Sequence, residues 1–270
     1  MTFLDVVLCA LIRGIGDVLP LSASGHLAFL PALAANPQAF AAVSAAAYAG
    51  CTFGLMLFFW RDLGAMAAGI VRLAKGRPDA GARLLLKVIA GTLPALALGA
   101  AFLAAAGGVG GTATVAGAML VFGFFLLVAD RIGVTVKRIE HMGTTAAIAI
   151  GLLQAAALIP GVSRTGLTIT AARLMGYERP EAVRFSLLLA IPLFAAQAGW
   201  ATWRLSRDAQ ITLSADLALA AALAGLSAMA ATAALLAWVQ RRGFTPFAVW
   251  RMALGAAILL ILVWRRSTAS

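Results

Sequence analysis

Chemistry in this chain is concentrated in two short polar stretches. DVLPLSASGHL, residues 17–27, carries Asp17, Ser22, Ser24 and His26, and PGVSRTGLT, residues 160–168, carries Ser163, Arg164, Thr165 and Thr168. A carboxylate and an imidazole flanking a Ser-x-Ser turn can supply a base or metal ligand together with a nucleophile or proton donor. A histidine near a helix start is also often a hydrogen-bonded structural residue, and the pattern alone does not separate the two roles. Arg164 is the sharper signal, because an arginine in an apolar membrane segment costs about 2.5–3.5 kcal/mol on insertion scales and is retained for a partner. Phosphate fits a guanidinium fork bidentately, and Ser163, Thr165 and Thr168 add donors beside it. Two partners stay open for Arg164: a bound phosphate or diphosphate, and a structural pair with Asp17 across the two stretches.

The elements that hold these residues are set by composition. Of 270 residues 63% are hydrophobic and 11% charged, and the mean hydropathy of +0.97 lies outside the range of soluble domains. The chain reads as an all-α integral membrane protein. Six runs approach the roughly 20 apolar residues that a span needs: 40–60, 84–105, 111–128, 182–203, 213–239 and 247–264. The opening MTFLDVVLCALIRG lacks the positive start and small-residue cleavage site of a signal peptide, and reads as part of the folded protein. A net charge of +11 would suit nucleic acid, but its cations lie between spans, which points to the bilayer and excludes nucleic acid. Cys9 and Cys51 sit in apolar runs without metal-type spacing and read as packing residues. His141, in a charged loop, reads as solvated, and Trp60, Trp203 and Trp264 as interfacial anchors.

The two polar stretches align as an internal repeat, Ser22-Ala23-Ser24-Gly25 against Ser163-Arg164-Thr165-Gly166, each shortly after a proline and each followed by three spans. An odd number of spans inverts the second copy relative to the first, the arrangement of transporter folds with functional groups at broken helices. One membrane domain, 1–270, thus divides into repeat 1, about 1–130, and repeat 2, about 144–265. Gly14, Gly16, Pro20 and Gly25 interrupt the first motif segment, and Gly151, Pro160, Gly161 and Gly166 the second. Proline inside a helix costs about 3 kcal/mol, and unpaired backbone at membrane depth needs protein or a wet cavity beside it. Each motif segment therefore predicts a re-entrant hairpin whose second half-helix is capped by Ser or Thr, with two helix N-termini meeting at an anion site. If the loop after the first span is cytoplasmic, alternation puts fifteen of the 21 cations on that side, Lys87, Arg173, Arg184 and Arg251 among them. The first motif then opens toward the outer face. Gln154 reads as a structural donor to broken backbone, and GGVGG at 107–111 as an outer turn.

DVLPLSASGHL, IGLLQAAALIPGVSRTGLTITAARLMG at 150–176 and FSLLLAIPLFAAQAG at 185–199 together resemble the bacitracin-resistance type of undecaprenyl-diphosphate phosphatase. The resemblance covers essentially the whole chain. It implies an inverted-repeat fold with re-entrant helices in the bacterial inner membrane and a site facing the periplasm. It further implies metal-assisted hydrolysis of a C55 polyprenyl diphosphate, with Mg2+ or Ca2+ as cofactor. Carried onto this chain, the diphosphate-binding arginine is Arg164, with Ser163, Thr165 and Thr168 beside it; the catalytic histidine is His26; and the motif carboxylate, base or metal ligand, is Asp17. Three positions depart: an acidic or amide position becomes Arg13, the carboxylate is shortened to Asp17, and the second serine of the family's Ser-Ser turn becomes Ala23. Ser22 and Ser24 remain, as diphosphate donor and catalytic hydroxyl, and Arg13 becomes an additional phosphate clamp. The alternative is a non-hydrolytic polyprenyl-phosphate binding protein or transporter on the same fold. A homo-oligomer is compatible with either.

Overall fold

Among the described residues of the computed structural model, six helices are long and apolar enough to cross a bilayer. The structure describes residues 1–28, 35–105, 111–133, 136–207 and 214–269. The six are α3 (Pro37–Phe58), α5 (Ala80–Ala105), α6 (Thr112–Ile132), α9 (Arg179–Arg207), α10 (Ala215–Val239) and α11 (Thr245–Ala269). All six coincide with the apolar runs. Their outer faces carry Phe53, Leu93, Phe124, Leu260 and Trp264, the surface expected of a protein whose solvent is lipid. Cys9 and Cys51 are buried, and Trp60, Trp203 and Trp264 are exposed. Most of the GGVGG stretch, 107–110, lies outside the described residues.

Both motif segments are broken helices, as the glycines and prolines require. The first is α1 (Phe3–Gly16) followed by the short α2 (Ala23–Leu27). The second is α7 (Thr144–Gln154), a 3-10 turn at Ala155–Leu158, and α8 (Arg164–Leu174). In each, the halves pack against one another, and α1 and α8 are wedged between long helices.

Small residues set how closely the helices approach. Gly50 and Gly54, four apart on α3, face the backbone of Ala221 and Gly225 on α10, so a side chain at either would meet main chain. Close approach adds dispersion contacts, which is what holds helices together when lipid is as apolar as the interface.

The cationic loops converge on one end of the bundle, but not as simple loops. Residues 61–83, between the first two apolar runs, read from the sequence as a connecting loop; they hold nearly all of an amphipathic helix, α4 (Trp60–Ala74), and the start of α5. A count of loop charges does not distinguish an amphipathic helix from a loop, because both place cations at the interface. Asp79 links the two helices: it accepts from the Ala82 N–H at 2.9 Å and pairs with Arg72, which hold its carboxyl below the usual range. Lys87 is buried and donates to the carbonyls of Ile139 and Glu140 at 2.8 and 3.3 Å. Arg184 lies within α9 and pairs with Asp62. Arg173, within α8, is 1% exposed and sits in a network around Asp130, which also accepts from Arg179 at 2.6 Å and from the Phe244 N–H at 2.8 Å. These bonds tie the ends of α6, α8, α9 and α11 together. Arg251 is a core residue of α11, not a loop cation.

Gly50→Val should drive a branched side chain into the Ala221 main chain and destabilise the bundle by at least about 1–3 kcal/mol. The measurement is the melting temperature and gel-filtration profile in detergent, with Gly64→Ala, a site with open space around it, expected to melt unchanged or slightly higher.

Candidate active site

The two motifs are local twins. Ser22 (φ 72°) and Ser163 (φ 63°) are the positive-φ residues other than glycine among those described. Each is the N-cap of its second half-helix, and each hydroxyl accepts from the N–H three residues on, Gly25 at 3.3 Å and Gly166 at 3.1 Å. Left-handed backbone at serine costs on the order of 1–3 kcal/mol and persists only where the surroundings over-determine it. Here the neighbouring prolines force the chain out of helix, and the cap recovers an N–H that would otherwise be orphaned.

The tips are bonded to each other. The Gly161 N–H donates to the Ser24 hydroxyl at 3.1 Å, and the Thr165 hydroxyl donates to the Asp17 carbonyl at 2.6 Å. Gly161 has φ 96°, and a side chain there would meet the Val115 carbonyl. Arg251 braces the same loop, donating to the carbonyls of Gly161 and Val162 at 3.0 and 2.7 Å. At 0% exposure it has exchanged water for main-chain carbonyls, with Nε and Nη1 left unpartnered.

Between the tips and the middles of α3, α5 and α9 lies a cavity of about 630 Å³ including its open mouth. Its wall contains Arg13, Asp17, Ser22, Ser24, Ser163 and Arg164 from the motifs, and Tyr48, Gln154, Phe194 and Gln197 from around them. Six of the nine residues singled out from the sequence thus meet at one place. Arg164 donates to the Ser186 carbonyl at 2.9 Å and the Asp17 carbonyl at 3.3 Å, and lies 4.9 Å over the Phe194 ring. Its contact with Asp17 is therefore to the main chain and not the side-chain pair that was one of the two partners left open for it. The Asp17 carboxylate instead faces Arg13 at 3.5 Å, and Arg13 donates to the Tyr48 hydroxyl at 2.6 Å with its guanidinium 4.5 Å from the ring centre. Arg13 and Arg164 each keep a buried Nε–H with no partner. Two guanidinium groups against one carboxylate make the wall a site for an anion.

Three residues read as site residues lie off this wall. Trp Nε1–H can only donate, so its 3.1 Å bond to His26 makes Nε2 the acceptor, and Nδ1–H donates to the Ser22 carbonyl at 2.9 Å. With both nitrogens engaged and the ring nearly coplanar with Trp250, edge to edge across that bond, His26 braces the first tip. Thr165 spends its hydroxyl on the Asp17 carbonyl, and Thr168 bonds Ser186 at 2.6 Å; both are buried struts. The anticipated meeting of two helix N-termini is lopsided, because α2 is barely more than one turn while α8 has three. Conversely, Tyr48, Phe194 and Gln197 are not singled out by residue type, although Phe194 and Gln197 lie in the 185–199 stretch that carries the family resemblance, since an isolated polar or aromatic residue in a span resembles packing. Gln154 does donate to a main-chain carbonyl, Gly91 at 3.4 Å, yet it also lines the cavity.

The donor set does not fit a resident Mg2+ or Ca2+. Ca2+ takes about six to eight oxygen ligands, and Mg2+ relies on one or two carboxylates that are free to receive it beside substrate phosphates; the wall offers the single carboxylate of Asp17, and Arg13 already lies against it. Among the described residues no group of three His, Cys, Asp or Glu side chains is placed to hold a metal.

With this geometry in place, relatives are informative. Residues 6–257 match the family model described as Bacitracin resistance protein BacA. The chain is 49% identical to Undecaprenyl-diphosphatase 1 of Paramagnetospirillum magneticum over 96% of its own length and 97% of the relative's. It is 46% identical to Undecaprenyl-diphosphatase 1 of Rhodospirillum rubrum, over 97% and 95%, and 38% identical to Undecaprenyl-diphosphatase of a Ruegeria species, over 97% and 99%. A model matched across nearly the whole chain, relatives of equal length and an anion cavity built from both motifs lead to one conclusion: the chain belongs to the bacitracin resistance protein BacA family.

Proposed function

We propose that the chain hydrolyses undecaprenyl diphosphate to undecaprenyl phosphate and inorganic phosphate. The observation that carries this reading is the convergence of both motifs on one cavity, with Arg13 and Arg164 supplying positive charge around a single carboxylate. The prenyl tail stays among the lipid-facing helices and the diphosphate enters between the tips. Arg164, anchored by two carbonyls, clamps the phosphoryl oxygens; Ser22, Ser24 and Ser163 line the same wall. Asp17, the carboxylate on that wall, takes the proton from an attacking water. Water adds to the terminal phosphorus, the bond from that phosphorus to the bridging oxygen breaks, and the lipid monophosphate departs with the bridging oxygen. Direct attack by water is supported by the serine hydroxyls, which are held as cap and inter-tip bridge. Guanidinium groups fixed before the reaction stabilise charge without reorganising as it develops.

The same reading sets the protein in the bacterial inner membrane with the cavity open to the periplasm. Recycling the carrier lipid there serves cell-wall synthesis and gives resistance to bacitracin. The twin serine caps and the matching run of three long helices after each motif support two repeats, and the odd number of spans supports their inversion.

Arg164→Ala should lower phosphate release from undecaprenyl diphosphate by about 10²–10³ while the protein still inserts and purifies. Unaltered release at saturating lipid would remove Arg164 from the site. Asp17→Asn should be as damaging and Asp17→Glu should retain activity, because a longer carboxylate still reaches the water; equal rates for Asn and Asp at this position would end its role as base. His26→Ala is the discriminating variant. A histidine acting as acid or base carries about 10²–10⁴ in rate, whereas a brace against Trp250 should cost less than about tenfold, read as release together with melting temperature.

A further inference from the structure

We propose that Arg13, held in place by Tyr48 and Asp17, does for the bound diphosphate what a divalent cation would do, so that this protein binds and cleaves its substrate without a metal. The inference rests on the phosphatase reading and specifies the electrostatics of that site.

Three observations carry it. The first is position. Arg13 lines the cavity and is only 12% exposed at its side chain, so it is not a surface cation leaning inward. Its guanidinium is fixed from two directions, by the Tyr48 hydroxyl at 2.6 Å and by the Asp17 carboxylate at 3.5 Å, and its central carbon lies 4.5 Å from the Tyr48 ring centre. A cation that is desolvated, oriented and held before substrate arrives is the arrangement that stabilises developing phosphoryl charge.

The second is the donor set. Asp17 is the carboxylate on the wall, and a divalent ion bound to it at about 2.3–2.6 Å would sit no more than about 6 Å from the Arg13 nitrogen that already faces it. Two like charges of that size at that separation disfavour one another in a desolvated site. The guanidinium and the dication therefore compete for one carboxylate, and the guanidinium is covalently present.

The third is the pairing of two guanidinium groups on one wall. Arg13 and Arg164 both line the cavity, with Asp17 as the carboxylate on the same wall. Two fixed cations beside the same open space suit an oxygen-rich anion bridged between them. A diphosphate offers oxygens on two phosphorus atoms, one for each guanidinium, and the forks bind them through directional hydrogen bonds that a spherical ion does not make.

The test is phosphate release from undecaprenyl diphosphate by the full-length protein in detergent, after exhaustive EDTA treatment and again with added Mg2+ or Ca2+. Release in EDTA that matches release with either cation is expected. Release that vanishes in EDTA and returns with a cation overturns the inference, and this arm uses the unaltered protein. Arg13→Gln should lower release about 10²-fold, the loss for one preorganised donor. Arg13→Glu, which pairs two carboxylates one helical turn apart, should make the remaining release depend on added Mg2+. A merely structural Arg13 would lower release in these variants without changing its response to chelator.

If the unaltered protein releases no phosphate under any condition, the phosphatase reading fails and binding decides the inference. The probe is then undecaprenyl methylenediphosphonate in EDTA. Binding weakened about tenfold or more by Arg13→Gln supports the role of Arg13, and equal binding to both proteins overturns it.

Discussion

Two broken helices that must not be left with orphaned main chain are the constraint on which the architecture turns. Each motif segment is interrupted by glycine and proline, and each interruption frees backbone groups inside the bundle, where protein or a wet cavity must satisfy them. The chain answers by joining the tips to each other: the Gly161 N–H to Ser24, and the Asp17 carbonyl to both Thr165 and Arg164. These bonds cross about 140 residues of sequence, so neither tip takes its form without the other. The cavity is the space left over when the joint is made. Its polarity follows, because the groups that repair broken backbone are themselves polar and arrive in one place.

Arginine is used in three ways in this bundle, and the surroundings distinguish them. Arg173 and Arg251 are all but fully buried and bonded to carbonyls at loop ends, Arg173 beside Asp130 and Arg251 against the second tip. They act as internal caps, trading hydration for main-chain acceptors. Arg184 and Arg179 lie at the cationic end and pair with acids there. Arg13 and Arg164 differ from both groups in lining the cavity and lying over aromatic rings. A nitrogen without a hydrogen-bond partner does not mark them out, since Arg173 and Arg251 keep one as well; the open space beside the guanidinium separates a binding arginine from a structural one.

The departures at Arg13, Asp17 and Ala23 form a coherent set once the geometry is known. A shorter carboxylate leaves room for a guanidinium beside it, Tyr48 supplies that guanidinium with a hydroxyl and a ring face, and the hydroxyls of Ser22 and Ser24 remain to form cap and bridge. Read one at a time, each change looks like loss of function. Under the proposal made for Arg13, together they exchange one way of neutralising a diphosphate for another.

Much of this molecule is legible in the chain because it depends on local rules. Apolar length sets the six spans, glycine and proline set the two breaks, and the Ser-x-x-Gly pattern sets the caps, all within a few residues of the atoms concerned. Arg164 declares itself because a charge in an apolar run is costly wherever it points. What distance in sequence hides is which groups share a space. That His26 turns to Trp250, that Thr165 and Thr168 are spent as struts, and that Tyr48, Phe194 and Gln197 complete the wall depend on contacts between helices far apart in the chain. Periodicity assigns a residue to an element. Only packing of the elements decides whether its side chain meets protein, lipid or the open cavity, because that outcome is set by the partner's shape and not by the residue's own neighbours.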